Sequence, residues 1–151
     1  KITSFEVQTS DDYLPGKSFF DKVIESADYC NVYEKHANVS VPLKPNTTYL
    51  LEVYRVLEDL SIRSIDEILK QQNAIKSGSQ ALLLAFEQKK DFLPAGSHIV
   101  SPEEKEILPI DEHGYRRHMG LVRLGSHFAF DNGEASSIRK GDYLMVTKEV
   151  A

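Results

Sequence analysis

Between Pro94 and Asp131 the sequence PAGSHIVSPEEKEILPIDEHGYRRHMGLVRLGSHFAFD gathers His98, His113, His118 and His127, four of the chain's five histidines. Arg116, Arg117 and Arg123 lie in the same stretch, as does the acidic run Glu103, Glu104 and Glu106. Imidazoles exchange protons near neutral pH, and guanidinium groups grip carboxylates or phosphates through paired N–H donors. If the chain binds a ligand or does chemistry, this stretch supplies the groups. Zinc sites draw on closely spaced ligand pairs, such as histidines at i and i+4 on a helix. His113 and His118 are five apart across a bend, so no metal site is expected. Arg117 and Arg123 share parity along a strand, while Arg116 and His118 point to the opposite face. One sheet face could therefore bring together His98, Arg116, His118 and His127 as ligand-binding residues. Cross-strand pairing of the arginines with Glu104 or Glu106 is the structural role expected for that cluster.

The elements that position these groups must come from a chain of 151 residues, a length that fits a single domain spanning 1–151. Hydrophobic residues make up 41% and charged residues 27%, as in soluble globular proteins. No apolar run approaches the about 20 residues of a membrane span, so no membrane partner is expected. The net charge is −5, and no segment is basic enough to neutralise a run of phosphates, which argues against nucleic acid. Cys30 is the only cysteine, which excludes an intrachain disulfide and suggests a reducing, cytoplasmic compartment. Cys30 itself is expected to be a small buried hydrophobe.

Helices are expected at about 18–30, 48–60, 64–77 and 79–92. In the first, Ser18 serves as N-cap ahead of Phe19, Phe20, Val23, Ile24 and Ala27 at helical spacing. The segment Thr48–Leu60 places Leu50, Val53, Tyr54, Leu57 and Leu60 on one helical face, with a strand as the alternative. Ser64 and Glu67 form a capping-box pattern. Residues 79–92 are rich in Ala, Leu, Glu, Gln and Lys, contain no β-branched residue and stop before Pro94. The two helices flanking Ser77-Gly78-Ser79 read as a helical hairpin, with the second, ALLLAFE, as a core helix. From residue 97 to 150 the pattern becomes short strands: Glu106–Ile110 and Tyr115–Leu124 around the turn Asp111–Gly114, then His127–Phe130 before Asp131–Gly133. Tyr143–Val150 forms the last, after the turn Arg139–Asp142. The expected fold is α+β, with N-terminal helices packed on a mainly antiparallel sheet from residues 97–150.

Two short motifs resemble known enzyme families. Glu104-Lys105-Glu106-Ile107-Leu108-Pro109 is similar to the Glu-x-Glu signature of arginine-type ADP-ribosyltransferases, and Val53-Tyr54-Arg55 to their first-strand Tyr-Arg element. The resemblance implies NAD held in part by Arg55, with Glu106 stabilising the cationic ribose and Glu104 assisting the acceptor. The family's Ser-Thr-Ser element is missing between the two motifs. Ser137–Val146 resembles the turn after the nucleophile of self-cleaving repressor peptidases and signal peptidases, but Gly133 stands where the serine would be.

The functional expectation is a non-catalytic or accessory binding domain for a protein or small ligand, working without a cofactor. The alternative is an enzyme on a nucleotide or phosphorylated ligand, ADP-ribosyltransferase-like, with Arg55, Glu104 and Glu106 as its catalytic residues.

Overall fold

A computed structural model describes residues 1–150. Its centre is a seven-stranded sheet with, in spatial order, β1 (Thr3–Gln8), β3 (Thr48–Arg55), β9 (Tyr143–Glu149), β5 (Ile99–Val100), β6 (Arg117–Leu124), β7 (His127–Glu134) and β2 (Tyr29–Cys30). The β9–β5 and β7–β2 contacts are parallel, and the others antiparallel. Helices α1 (Lys17–Ile24) and α3 (Ser79–Lys89) contribute to the core on one face. Helix α2 (Ile62–Gln71) packs on the other face, joined there by a small second sheet of β4 (Leu60–Ser61) and β8 (Ser137–Ile138). The architecture is α+β.

The two faces share the central strands. On β9, Tyr143 and Met145 belong to the α1/α3 core while Leu144 and Val146 belong to the α2 core. A strand covered on both sides shows no alternation between apolar and polar positions. That is why Thr48–Arg55, expected as a helix, is a strand. Leu51 and Val53 face α3, and Tyr54 with the following Val56 faces α2. Its Val and Tyr content suits a pleated, doubly buried surface.

Other boundaries move for local reasons. The first helix ends at Ile24 rather than near 30, because Asp28 leaves the helix to bond β7: its N–H donates to the Phe128 carbonyl and its carboxylate accepts the Phe128 N–H. Cys30 consequently sits exposed in β2, not buried. The expected 64–77 helix spans 62–71, and Ser61, not Ser64, is its cap, accepting from the Ser64 N–H at 3.2 Å. The helices do not precede the sheet, since β1 and β3 come from the first half of the chain. Nor do α2 and α3 form a hairpin, because they lie on opposite faces. The linker between them runs beside β9, where Ile75 bridges to Thr147 in the space that two-residue β5 leaves open. Residues 105–107 form a 3-10 turn instead of a strand. The β7 strand continues through Asp131–Gly133, and the tight β6–β7 turn falls at Gly125-Ser126, with Gly125 at φ 64.

Helix α3 is the core helix its composition indicates. Every residue from Ser79 to Phe86 is buried, and the Phe86 ring meets Phe128 and Phe130 edge-on at 5.4 and 5.3 Å. Within it Gln80, 1% exposed, accepts from the Tyr13 hydroxyl and the Leu43 N–H, and donates to the carbonyls of Val41 and Ser77.

Candidate functional site: a cleft around Arg116

The turn Asp111–Gly114 sets the geometry of the two arginines that follow. Asp111 Oδ1 accepts the backbone N–H groups of His113 (2.8 Å) and Tyr115 (2.9 Å), closing an Asx-type turn that ends on Gly114 at φ 86. Its other oxygen pairs with Arg117 Nε at 2.8 Å. The Tyr115 N–H, followed by Arg117, holds the Asp111 carboxyl below the usual carboxylate range. With Arg117 occupied on one side of the strand, Arg116 turns to the other. Its Nη1 donates to the carbonyls of Glu106 and Leu108, both at 2.9 Å. An arginine carries five N–H donors. Two bonds at one nitrogen fix the plane of the guanidinium and leave Nε and Nη2 free of protein partners among the described residues.

This fixed guanidinium borders an open cleft of about 900 Å³ between the 3-10 turn Glu34–Ala37 and the segment 106–110. Tyr33, Lys35, Asn38, Ile107 and Ile110 also line it, giving an aromatic and apolar wall beside two cations. Of the two carboxylates at its border, Glu34 lies 3.5 Å from Lys17, whereas Glu106 is exposed. Its walls mix apolar side chains with charged and polar ones, so any ligand would be held by a few fixed polar groups beside limited apolar area.

The 3-10 turn is held to the sheet by His36. Its Nδ1 accepts the Tyr33 N–H at 3.1 Å, so Nε2 carries the proton and donates to the Arg117 carbonyl at 2.9 Å. Burial pushes its pKa down, which keeps the ring neutral.

Of the residues singled out by type, only Arg116 and Glu106 meet in this cleft. His118 points behind it, toward α2, lining small cavities of about 40 and 10 Å³ with Ser101, Glu103 and Leu108. Its Nε2 stands 2.8 Å from the place a Cβ on Gly133 would occupy, so the opposite strand position accepts only glycine without a shift. Burial lowers the His118 pKa to about 4, and its neighbours His98, His36 and Arg117 add to the effect. Next to this pocket Glu103 accepts from the Ser40 hydroxyl and from the Glu104 N–H at 2.8 Å, and burial raises its pKa.

His98 shares the α2-side sheet face with His118. It rests over Gly120, its Nε2 3.6 Å from Asp131 Oδ2, while Oδ1 of Asp131 accepts from the Asn132 N–H and the Asn31 side-chain amide. His127 stands at the turn end of β6–β7, remote from Arg117, with Nδ1 3.5 Å from Asp28. His113 lies exposed in its turn.

Among the described residues no group of three or more His, Cys, Asp or Glu side chains could hold a metal ion. Arg55 stacks over the Tyr143 ring at 5.1 Å and donates to its hydroxyl at 2.9 Å, bordering a different groove from that of Glu106. Glu104 pairs with Lys76, which also meets Asp66 at 2.7 Å. The arginine–glutamate pairs expected across the strands do not form: Arg117 takes Asp111, and Arg123 donates to the carbonyls of Asp91 and Leu93 and lies over the Phe128 ring. Ser77 bonds Thr147 at 2.7 Å and Ser101 at 3.2 Å in a buried hydroxyl cluster. Tyr33, Lys35 and Asn38 escape sequence reasoning, because residues 31–46, with Val39, Val41 and Leu43 alternating, read only as extended chain, and their place opposite Arg116 depends on a contact distant in sequence.

Comparison with protein-family models, with curated proteins and with solved structures finds no match to the chain.

Proposed function

We propose that the chain is a non-catalytic binding domain whose ligand presents a carboxylate or phosphate group to Arg116. The observation that carries this reading is the anchoring of the Arg116 guanidinium by the Glu106 and Leu108 carbonyls at the edge of the cleft. An arginine held before the ligand arrives loses little side-chain entropy on binding, and its planar fork matches two oxygens of an anion. Lys35 adds a second cation, and Tyr33, Ile107 and Ile110 offer apolar area to the rest of the ligand. Binding is favoured over turnover because Arg55 and Glu106, which the transferase-like alternative needs together, border separate grooves.

The test is a thermal-shift and NMR titration with inorganic phosphate, succinate, AMP and NAD on the wild type, Arg116→Gln and Lys35→Gln. At least one anion should stabilise the wild type saturably, with shifts at Tyr33, Lys35 and Ile110. Affinity should fall roughly 10- to 100-fold in Arg116→Gln, the loss of one charge-assisted pair, and less in Lys35→Gln. Saturable binding that Arg116→Gln leaves unchanged would remove the proposal, as would indifference to every anion. Release of nicotinamide from NAD, abolished by both Glu106→Gln and Arg55→Gln, would replace it with the transferase-like reading.

A further inference from the structure

The charged groups around the Arg116 cleft divide into those with partners and those without. Glu34 lies 3.5 Å from Lys17, and just outside the cleft Glu104 pairs with Lys76 at 3.2 Å. Arg116, Lys35 and Glu106 have no ion-pair partner among the described residues, although all three border the same cleft. Lys35 and Glu106 are exposed, and Nη1 of Arg116 is spent on the main-chain oxygens of Glu106 and Leu108. The guanidinium does not turn to the neighbouring Glu106 carboxylate, so both charges stay available to a third molecule.

The backbone fixes where these charges stand. Glu106 lies in the 3-10 turn Lys105–Ile107, closed by the Ile107 and Leu108 N–H groups on the Glu104 and Lys105 carbonyls. Lys35 lies on the turn that His36 ties to the Arg117 carbonyl. Because Arg116 bonds the carbonyl of Glu106 itself, the carboxylate of that residue is no more than about 9 Å from Nη1 by ordinary bond lengths. An α-amino acid holds its ammonium about 3 Å from its carboxylate, and with a hydrogen bond of about 2.9 Å at each end it spans up to about 9 Å. A dianion without the ammonium brings its charge beside Glu106 with nothing to offset the repulsion.

We infer that the ligand of this cleft is an acidic α-amino acid, which rests on the reading of Arg116 as an anion site. The α-carboxylate takes the free Nε and Nη2 donors of Arg116, the ammonium donates to the Glu106 carboxylate, and the second acid group reaches Lys35. Tyr33, Ile107 and Ile110 flank the methylene chain between them. Two unpaired cations and one unpaired carboxylate are the complement of two acid groups and one ammonium. Glu106 is the residue that selects. Its one carboxylate both attracts the ammonium and repels a phosphate monoester or a plain dicarboxylate.

The probes are L-glutamate, glutarate, which lacks the ammonium, and L-glutamine, which lacks the second acid charge. Each is titrated into the full chain with backbone NMR detection. Glutamate should shift the signals of Lys35, Glu106 and Arg116 saturably. It should bind roughly 5-fold tighter than either analogue, the upper range for one exposed charge pair. Glu106→Gln should bring glutamate and glutarate level, and Lys35→Gln should do the same for glutamate and glutamine. Arg116→Gln should weaken all three ligands, and the far-ultraviolet spectrum should stay unchanged in each variant. Three results would overturn the inference: equal wild-type affinity for glutamate and glutarate, equal affinity for glutamate and glutamine, or a preference for glutamate over glutarate that survives Glu106→Gln. If glutamate and glutarate bind equally and Arg116→Gln weakens both, the anion site stands and only its specificity for an amino acid falls. Binding of inorganic phosphate through Arg116 with no response to glutamate would separate the two in the same way. No response to any of these anions would remove both.

Discussion

Because His118 is neutral in the fold and protonates in the unfolded chain at its ordinary pKa of 6.5, it ties stability to pH. Its folded pKa is about 4, so between these values the unfolded chain binds the extra proton and stability falls as pH falls. The loss begins near pH 6.5, is complete near pH 4 and amounts to up to about 3 kcal/mol. His36, also lowered by burial, acts in the same direction. Glu103 acts in the opposite one: its raised pKa means that stability is lost as pH rises through the folded value. The His118 share is therefore read by difference. Urea midpoints measured from pH 7 to pH 4 should decline less steeply in His118→Asn than in the wild type, and parallel declines would show that the ring is not the source. Residue identity alone showed that His118 could titrate and that Arg116 could hold an anion. It could not show that one ring fits against Gly133 and under α2, nor that Glu106 and Leu108 turn their carbonyls toward the guanidinium. Those facts belong to contacts between segments.

At the level of elements, α3 was legible because nothing in its composition competes with a helix. Thr48–Arg55 was not, since TYLLEVYR satisfies a helical stripe and a doubly buried strand equally well, and packing on both sides decides between them. The β6–β7 hairpin was legible, with one strand ending at Leu124 and the next starting at His127, but the length of β7 was not, because the turn chemistry of Asp131-Asn132-Gly133 suggested a stop at Phe130. Gly133 serves instead to admit the His118 ring. Helix α3 also depends on one polar residue that its apolar sequence obscures. Gln80 satisfies two donors and two acceptors at the junction with residues 41–43 and Tyr13. Gln80→Met keeps the volume but strands those partners away from water. It should cost roughly 2–4 kcal/mol in chemical denaturation. A loss within about 0.5 kcal/mol, the range of an ordinary surface change, would mean that other groups or water take over the bonds.

For the whole molecule, two cores on opposite faces of one sheet raise the question of whether they melt together. Leu82 lies in the α3 core and Ile65 in the α2 core, and β9 contributes side chains to both. Residues that share a strand lose their packing together, so unfolding should be a single cooperative transition. Leu82→Ala should lower the midpoint by about 2–5 kcal/mol in stability, with Ile65→Ala in the same direction. Fluorescence and circular-dichroism transitions should coincide in both variants. Separate transitions in Ile65→Ala would show that the α2 side opens by itself. Helical and strand patterns had indicated an α+β chain, and no apolar run approached the length of a membrane span; among the described residues no helix is long and apolar enough to cross one. The assignment of each helix to its face could not be read in the same way, because the linker carrying Ile75 is recognisable only beside Thr147.

That arrangement has a consequence for how the chain comes to be folded. The interior strand β9, with β3 on one side and β5 and Ile75 on the other, follows every other strand of the sheet in the chain. During synthesis every earlier strand emerges before the one that joins β1–β3 to β5–β6–β7. Neither core is complete until Tyr143–Glu149 arrives, since Tyr143 and Met145 belong to one and Leu144 and Val146 to the other. Folding is therefore dominated by distant pairings that form late, a topology associated with slow folding and long exposure of apolar strands. Until that strand docks, Leu51 and Val53 remain without their central neighbour, and a nascent chain stalled before Tyr143 would be a natural client for chaperones.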